Sequence, residues 1–186
     1  MIEYPKTFKV SGRAPSKKEM QWLNNWIINQ NFKDNLNILE FGCGISTYII
    51  ANSVPSYEKY VCVENFKPCL KTVNAHVKNI TFIRDTWHNI PKLPYDIVFI
   101  DASSCTPPEI IAEVKKTSPK CSVYRSEIIP YVWDFVSLDC FFIIHDWKHR
   151  PAWVKPRKLF EKMNHKLIDC IRTKHGIGIY QKGRIN

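Results

Sequence analysis

The 186-residue chain reads as an α/β protein, doubly wound, with a mostly parallel sheet and helices on both faces. Three observations predict this. Apolar segments of strand length alternate with segments of helical periodicity. The strand segments run apolar on both faces, as in Ile97-Val-Phe-Ile100 and Phe141-Phe-Ile-Ile144, which suits strands covered from two sides. An acid also stands at or just after the carboxyl end of each of the first five strands: Glu40, Glu64, Asp85, Asp101 and Asp146. In such sheets ligands bind beyond those ends, so the five acids are expected to form a polar rim around one crevice. Each acid alone would equally suit a helix cap or a solvated loop.

Ser16 to Gln30 opens the series as a helix, with Ser16 and Glu19 spaced as a capping box and Trp22, Leu23, Trp26 and Ile27 at helical spacing. Residues 37–41 form the first strand. It breaks at Gly42 and Gly44, which tolerate backbone angles closed to other residues, and a helix follows from Ile45 to Ala51. Strand, glycine turn and helix N-terminus together make a nucleotide-type cradle. Tyr57–Glu64 is the second strand, Pro68–Val77 a helix, Asn79–Arg84 the third strand and Tyr95–Asp101 the fourth. Pro107–Lys116 is helical with proline at its start, 118–121 a loop, and Arg125–Val136 a helix that contains Pro130. Phe141–Asp146 is the fifth strand and Arg157–Asn164 a helix; Leu167–Ile171 and Gly176–Tyr180 close the sheet as a pair, bringing it to seven strands. Neither a repeat nor a linker interrupts the order, so one domain is expected over 1–186, with a core at 16–181 and an N-terminal extension at 1–15.

Hydrophobic content of 45% and charged content of 24% are ordinary for a globular chain. No apolar run is long enough to span a bilayer, and the first residues lack a signal-peptide layout. The seven cysteines form no Cys-x-x-Cys pair, and Cys62, Cys140 and Cys170 sit in apolar runs, so buried thiols and a reducing, cytoplasmic location are expected. The net charge of +10 is uneven: residues 148–186 carry eleven Lys/Arg against two acids. That end suits an anionic substrate, a nucleic acid or simple solvation.

The residues Glu40-Phe-Gly-Cys-Gly-Ile-Ser46, followed by Thr47, resemble the acidic-x-Gly-x-Gly turn of the Rossmann-like, class I S-adenosylmethionine-dependent methyltransferases. The resemblance runs over residues 16–181, with Ser46 in the place of a third glycine. It implies a last strand antiparallel to its neighbours. It also implies a cofactor methionine over Gly42, Cys43 and Gly44, with Glu40 facing its amino group directly or through water. Glu64, 24 positions after Glu40, falls where the family grips the ribose, with Asn65 beside it. Asp85, Thr86 and Trp87 match the adenine loop, where Trp87 is equally a core residue.

The chain is similar, more narrowly, to the metal-assisted O-methyltransferases, whose acids after strands four and five bind magnesium. Asp101 and Asp146 hold those places and are the implied catalytic and metal-binding pair, Asp101 bordering the cofactor as well. The family continues the second acid with Asn or Asp, where this chain has Trp147. A metal-free route would use His145 as base. Strand alternation suggests that only one of residues 145 and 146 faces the crevice, which favours Asp146; His149 is a further candidate. The expected activity is methyl transfer to a hydroxyl of a small-molecule or glycan substrate, with Lys148, Arg150, Lys155, Arg157 and Lys158 recognising anionic groups and Arg125 and Glu127 near the rim. Methylation of RNA or another nucleic acid, and a catalytically silent cofactor-binding subunit, are the alternatives. Oligomeric state stays open.

Overall fold

The computed structural model describes residues Pro5, Phe8, 15–101, 105–117, 125–147, 158, 160–161, 165 and 167–183. In chain order the elements are α1 (Lys17–Asn29), β1 (Leu36–Phe41), α2 (Ile45–Ser53), β2 (Tyr57–Val63), α3 (Lys67–His76), β3 (Ile80–Ile83), β4 (Tyr95–Ile100), α4 (Pro108–Thr117), α5 (Arg125–Val132), β5 (Val136–His145), β6 (Leu167–Ile171) and β7 (Ile177–Gln181). The seven strands form one sheet in the order β3-β2-β1-β4-β5-β7-β6. Strands β1 to β5 run parallel, and β7 runs antiparallel to both β5 and β6. The predicted sheet and its reversed last strand are therefore present.

Strand alternation divides the core into two layers. Ile38, Tyr60, Ile97, Phe99, Ile143, Ile177 and Ile179 point to one face, where Met20, Leu23, Ile27, Ile49 and Ile50 of α1 and α2 cover them. Cys62 on the same side packs on Leu70 and Val73 of α3. Leu39, Phe41, Val61, Val63, Val98, Ile100, Phe142 and Ile144 point the other way, against Trp87, Phe160 and the α5 residues Ile128, Ile129 and Val132. Burial on both faces is why these strands lack the polar alternation of a half-exposed sheet. Helix α1 starts as predicted: Ser16 Oγ accepts the Glu19 N–H, and Glu19 Oε2 accepts the Ser16 N–H at 2.6 Å. Phe8 of the N-terminal extension packs on Tyr48 and His76.

One stretch departs from expectation. Helix α5 stops at Val132, a short 3-10 turn covers Trp133–Phe135, and β5 begins at Val136 rather than Phe141. Its first part carries exposed Leu138 and Asp139 and is separated by a register shift, with Tyr95 opposite Val136 but Ile97 opposite Phe141. Those exposed, unevenly paired residues conceal a strand from any periodicity. Residues 118–121 lie outside the described residues, and of the predicted 157–164 helix only Lys158, Phe160 and Glu161 are described, all helical. Among the described residues no helix is long and apolar enough to cross a membrane.

Candidate active site

All the parallel strands end at one edge, and the glycine turn lies at its centre, after β1. Gly42 has φ 92°, a left-handed value that glycine adopts without cost. Its N–H donates to the Val63 carbonyl at 3.0 Å. Gly44 differs from expectation, since its φ of 168° is extended and within reach of any residue. What it provides is room, because a Cβ there would meet nothing within 4 Å. Its N–H donates to Thr47 Oγ1 at 2.9 Å, which ties the turn to the start of α2. Cys43, between the glycines, is buried against Cys62, and burial first of all raises the Cys62 thiol well above its ordinary range.

Glu40, in β1 just before this turn, is fully buried. Ser46 Oγ donates to Oε1 at 2.6 Å and Tyr60 OH to Oε2 at 2.8 Å. Burial pushes the Glu40 carboxyl up to about 7 against the pull of hydrogen bonds from Ser46, Thr47 and Tyr60, and the Asp101 charge adds to the rise. Glu64 follows β2, with Oε1 accepting the N–H groups of Asn65 and Phe66, both at 2.8 Å. Asp85 is exposed and accepts from Asn89 Nδ2 at 2.9 Å, and Thr86 is half-buried. Trp87 is a core side chain: its ring is fully buried, 5.7 Å from Phe41 and 6.0 Å from Tyr131 between centroids. Among the described residues, Phe66, two residues after Glu64, is an aromatic left 59% exposed. No periodicity singles it out, since it opens α3 at the N-cap.

Asp101 follows β4, and its N–H donates to the Phe41 carbonyl at 2.9 Å, so it borders the turn directly. Its Oδ1 lies 2.6 Å from His145 Nδ1. Asp146 leaves the strand with φ 58°, a left-handed conformation that Asp tolerates better than most residues. As strand alternation predicts, His145 stays buried while Asp146 is part-exposed. The Asp146 carboxylate turns back to within 3.9 Å of His145 Nδ1, so both residues join one cluster. His145 is fully buried, and its Nε2 lies 3.9 Å from Glu19 Oε2, an ion-pair distance too long for a hydrogen bond. Burial pulls the His145 pKa down, but the carboxylates of Asp101, Glu19 and Asp146 outweigh it and raise it to about 9. One imidazolium thus sits among three carboxylates.

Two members of this cluster escape sequence reading. Glu19 is visible there only as a helix cap. In the fold its Oε1 also accepts the Thr173 hydroxyl and, at 2.8 Å, the Gly176 N–H. His175, in the β6–β7 turn, sets its Nδ1 2.6 Å from Asp146 Oδ1. Lys148, His149, Arg150, Lys155 and Arg157 lie outside the described residues, Lys158 is exposed, Arg125 opens α5 and Glu127 is half-buried there.

As arranged, the donor set does not fit magnesium. Asp101, His145 and Asp146 bring ligand atoms within 4.8 Å of one another, but a hard cation prefers oxygen donors, and both carboxylates already hold imidazole nitrogens. The position of the third family ligand belongs to Trp147, whose indole lies against β7: a Cβ on Gly178 would stand 3.0 Å from it. An adenosyl cofactor fits better, given the open space over Gly44 and an anchored carboxylate at the end of β2.

No protein-family model matches the chain, and no curated protein sequence matches it. Solved structures do share its fold. An O-methyltransferase from Bacillus cereus, in complex with SAH, matches with a TM-score of 0.66 at 13% identity, over 97% of this chain and 92% of that one. The O-methyltransferase TomG from Streptomyces achromogenes, involved in tomaymycin synthesis and in complex with SAM, gives 0.66 at 12%, over 99% and 92%. A ribosomal protein L11 methylase from Lactobacillus delbrueckii subsp. bulgaricus gives 0.59 at 11%, over 90% and 79%. The chain therefore has the Rossmann-like fold of these methyltransferase structures.

Proposed function

We propose that the protein is an S-adenosylmethionine-dependent methyltransferase that methylates a hydroxyl oxygen of a small-molecule or glycan acceptor. The observation that carries this reading is the hydrogen bond from Asp101 N–H to the Phe41 carbonyl. It joins the glycine cradle to the acid–imidazole cluster, so a cofactor site and a proton-handling site share one edge. The Gly42–Gly44 backbone and Thr47 would hold the methionine part, Glu64 and Asn65 the ribose, and Asp85, Thr86 and the exposed face of Phe66 the adenine. Glu40 serves the cofactor indirectly, by fixing the turn through Ser46. When bound, the cofactor supplies an electrophilic methyl group on a sulfonium. The chain's own residues orient the acceptor and deal with its hydroxyl proton, and holding the reacting atoms in line can supply about 7–11 kcal/mol of the barrier reduction.

Calorimetric titration of S-adenosylmethionine into the purified protein tests this reading, with and without magnesium. Saturable binding is expected in both conditions, and absence of binding in both would end the proposal. Gly44→Ala sharpens the test. Because the added methyl group points into open space, stability should change by less than about 1 kcal/mol. The same group intrudes on the cradle, so affinity for the cofactor should fall about tenfold or more, equivalent to about 1.4 kcal/mol.

A further inference from the structure

Two carboxylate–imidazole pairs, Asp101–His145 and Asp146–His175, meet at the end of β5, and of these two imidazoles only that of His175 reaches solvent. The His145 ring is 0% exposed, so an acceptor molecule has no surface of it to touch. The His175 side chain is 23% exposed, and its partner Asp146 is 17% exposed. We propose that His175 is the catalytic residue that takes the proton from the acceptor hydroxyl, with Asp146 orienting its ring. This assignment rests on the hydroxyl-methylation reading above.

Strand direction brings His175 to this edge. Because β7 runs back along β5, with Ile177 opposite His145, the turn from residue 172 to 176 lies beside the end of β5. The turn is pinned on both sides of His175. The Thr173 hydroxyl and the Gly176 N–H both donate to Glu19 Oε1, and the Gly176 N–H also lies 2.9 Å from Thr173 Oγ1. Gly176 has φ +79°, and a Cβ on it would stand 2.9 Å from the Ile171 carbonyl oxygen, so glycine suits that position. A base mounted on a turn so constrained keeps its aim, as a working site needs. His175 and His145 lie side by side, with ring centroids 5.9 Å apart.

With Asp146 accepting from Nδ1–H, Nε2 is the proton-accepting nitrogen. In the step, the acceptor O–H bond breaks and its proton moves to Nε2. The oxygen electron pair forms the new bond to the methyl carbon, while the carbon–sulfur bond breaks and leaves its pair on sulfur. A methyl ether, a neutral thioether and a His175 imidazolium facing Asp146 result, and the charge balances.

The test compares the full-length wild type with His175→Gln, whose amide can still donate to Asp146 but cannot act as a base. Cofactor binding is read by calorimetry, and transfer from tritium-labelled S-adenosylmethionine is read with catechol, phenol and a methyl glucoside as acceptors. The expected result is unchanged cofactor affinity and transfer reduced by about 100-fold or more. Diethyl pyrocarbonate labelling of the wild type, mapped by peptide mass spectrometry, is independent of the variant's folding. It should carbethoxylate His175 and spare His145. Wild-type transfer rates in His175→Gln, or labelling of His145 with His175 spared, would overturn the assignment and leave methyl transfer standing. A wild type that binds no cofactor, or methylates none of the three acceptors, would remove the hydroxyl-methylation reading and the role of His175 with it.

Discussion

Replacing Glu19 with alanine should destabilise the protein by about 3–5 kcal/mol at neutral pH, the usual cost of removing one partner from a buried ionic pair. The Glu19 side chain is 1% exposed and serves four groups: the Ser16 N–H, the Thr173 hydroxyl, the Gly176 N–H and the His145 ring. Deleting it takes an acceptor from three donors, of which the Gly176 N–H keeps Thr173 Oγ1, and withdraws one counter-charge from the buried His145 ring. Burial alone would raise the Glu19 pKa, yet His145, Thr173 and Ser16 together hold it well below the usual carboxylate range. A depressed carboxyl contributes stability above its unfolded pKa, near 4.5, and loses that contribution as pH falls through the folded value. The deficit of Glu19→Ala should therefore be full at pH 7 and narrow in acid. Urea unfolding at pH 7 and pH 3 measures both, and a loss under about 1 kcal/mol at pH 7 would show that water replaces the carboxylate. Glu19→Gln, which keeps an acceptor and loses the charge, should fall between.

Glu40→Gln should do the reverse and stabilise the protein above neutral pH, by about 2–4 kcal/mol. The folded state raises the Glu40 pKa from 4.5 to about 7, so the native chain holds a proton that the unfolded chain releases. That contribution is complete below pH 4.5 and disappears as pH rises through 7. Glutamine has the same shape, and its amide can bond both Ser46 and Tyr60, whose hydroxyls donate or accept. The difference in unfolding free energy between variant and wild type should be small at pH 4.5, grow up to pH 7 and then level off. Parallel pH profiles for the two proteins would mean that Glu40 is ionised in the fold without penalty.

The strands were legible because each carries its own signal. Residues such as Val61, Cys62, Val98 and Phe99 are apolar whichever way they point, and the Ser16–Glu19 cap and the Gly42–Gly44 break are local patterns. Strand β5 was cut short for the same reason in reverse: Ser137, Leu138 and Asp139 lie before a register shift and alternate with nothing. Of the candidate site, the acids at the strand ends were visible because chain direction alone carries them to one edge. Glu40 and Trp87 show the limit of that inference, since being near a strand end does not say whether a side chain faces the crevice or the core. Asp146 adds what alternation cannot give, because a left-handed residue after the strand brings its carboxylate back toward the buried His145 ring.

The amino-acid sequence by itself determined the alternation of elements, the two-sided core and the glycine turn, all of which depend on neighbours within a few positions. Only the tertiary structure decided that Glu19, His145 and His175 belong together. They come from α1, the end of β5 and the β6–β7 turn, and no spacing along the chain relates them. What joins them is the antiparallel return of β7, together with the desolvation of charges that must find partners inside a packed fold.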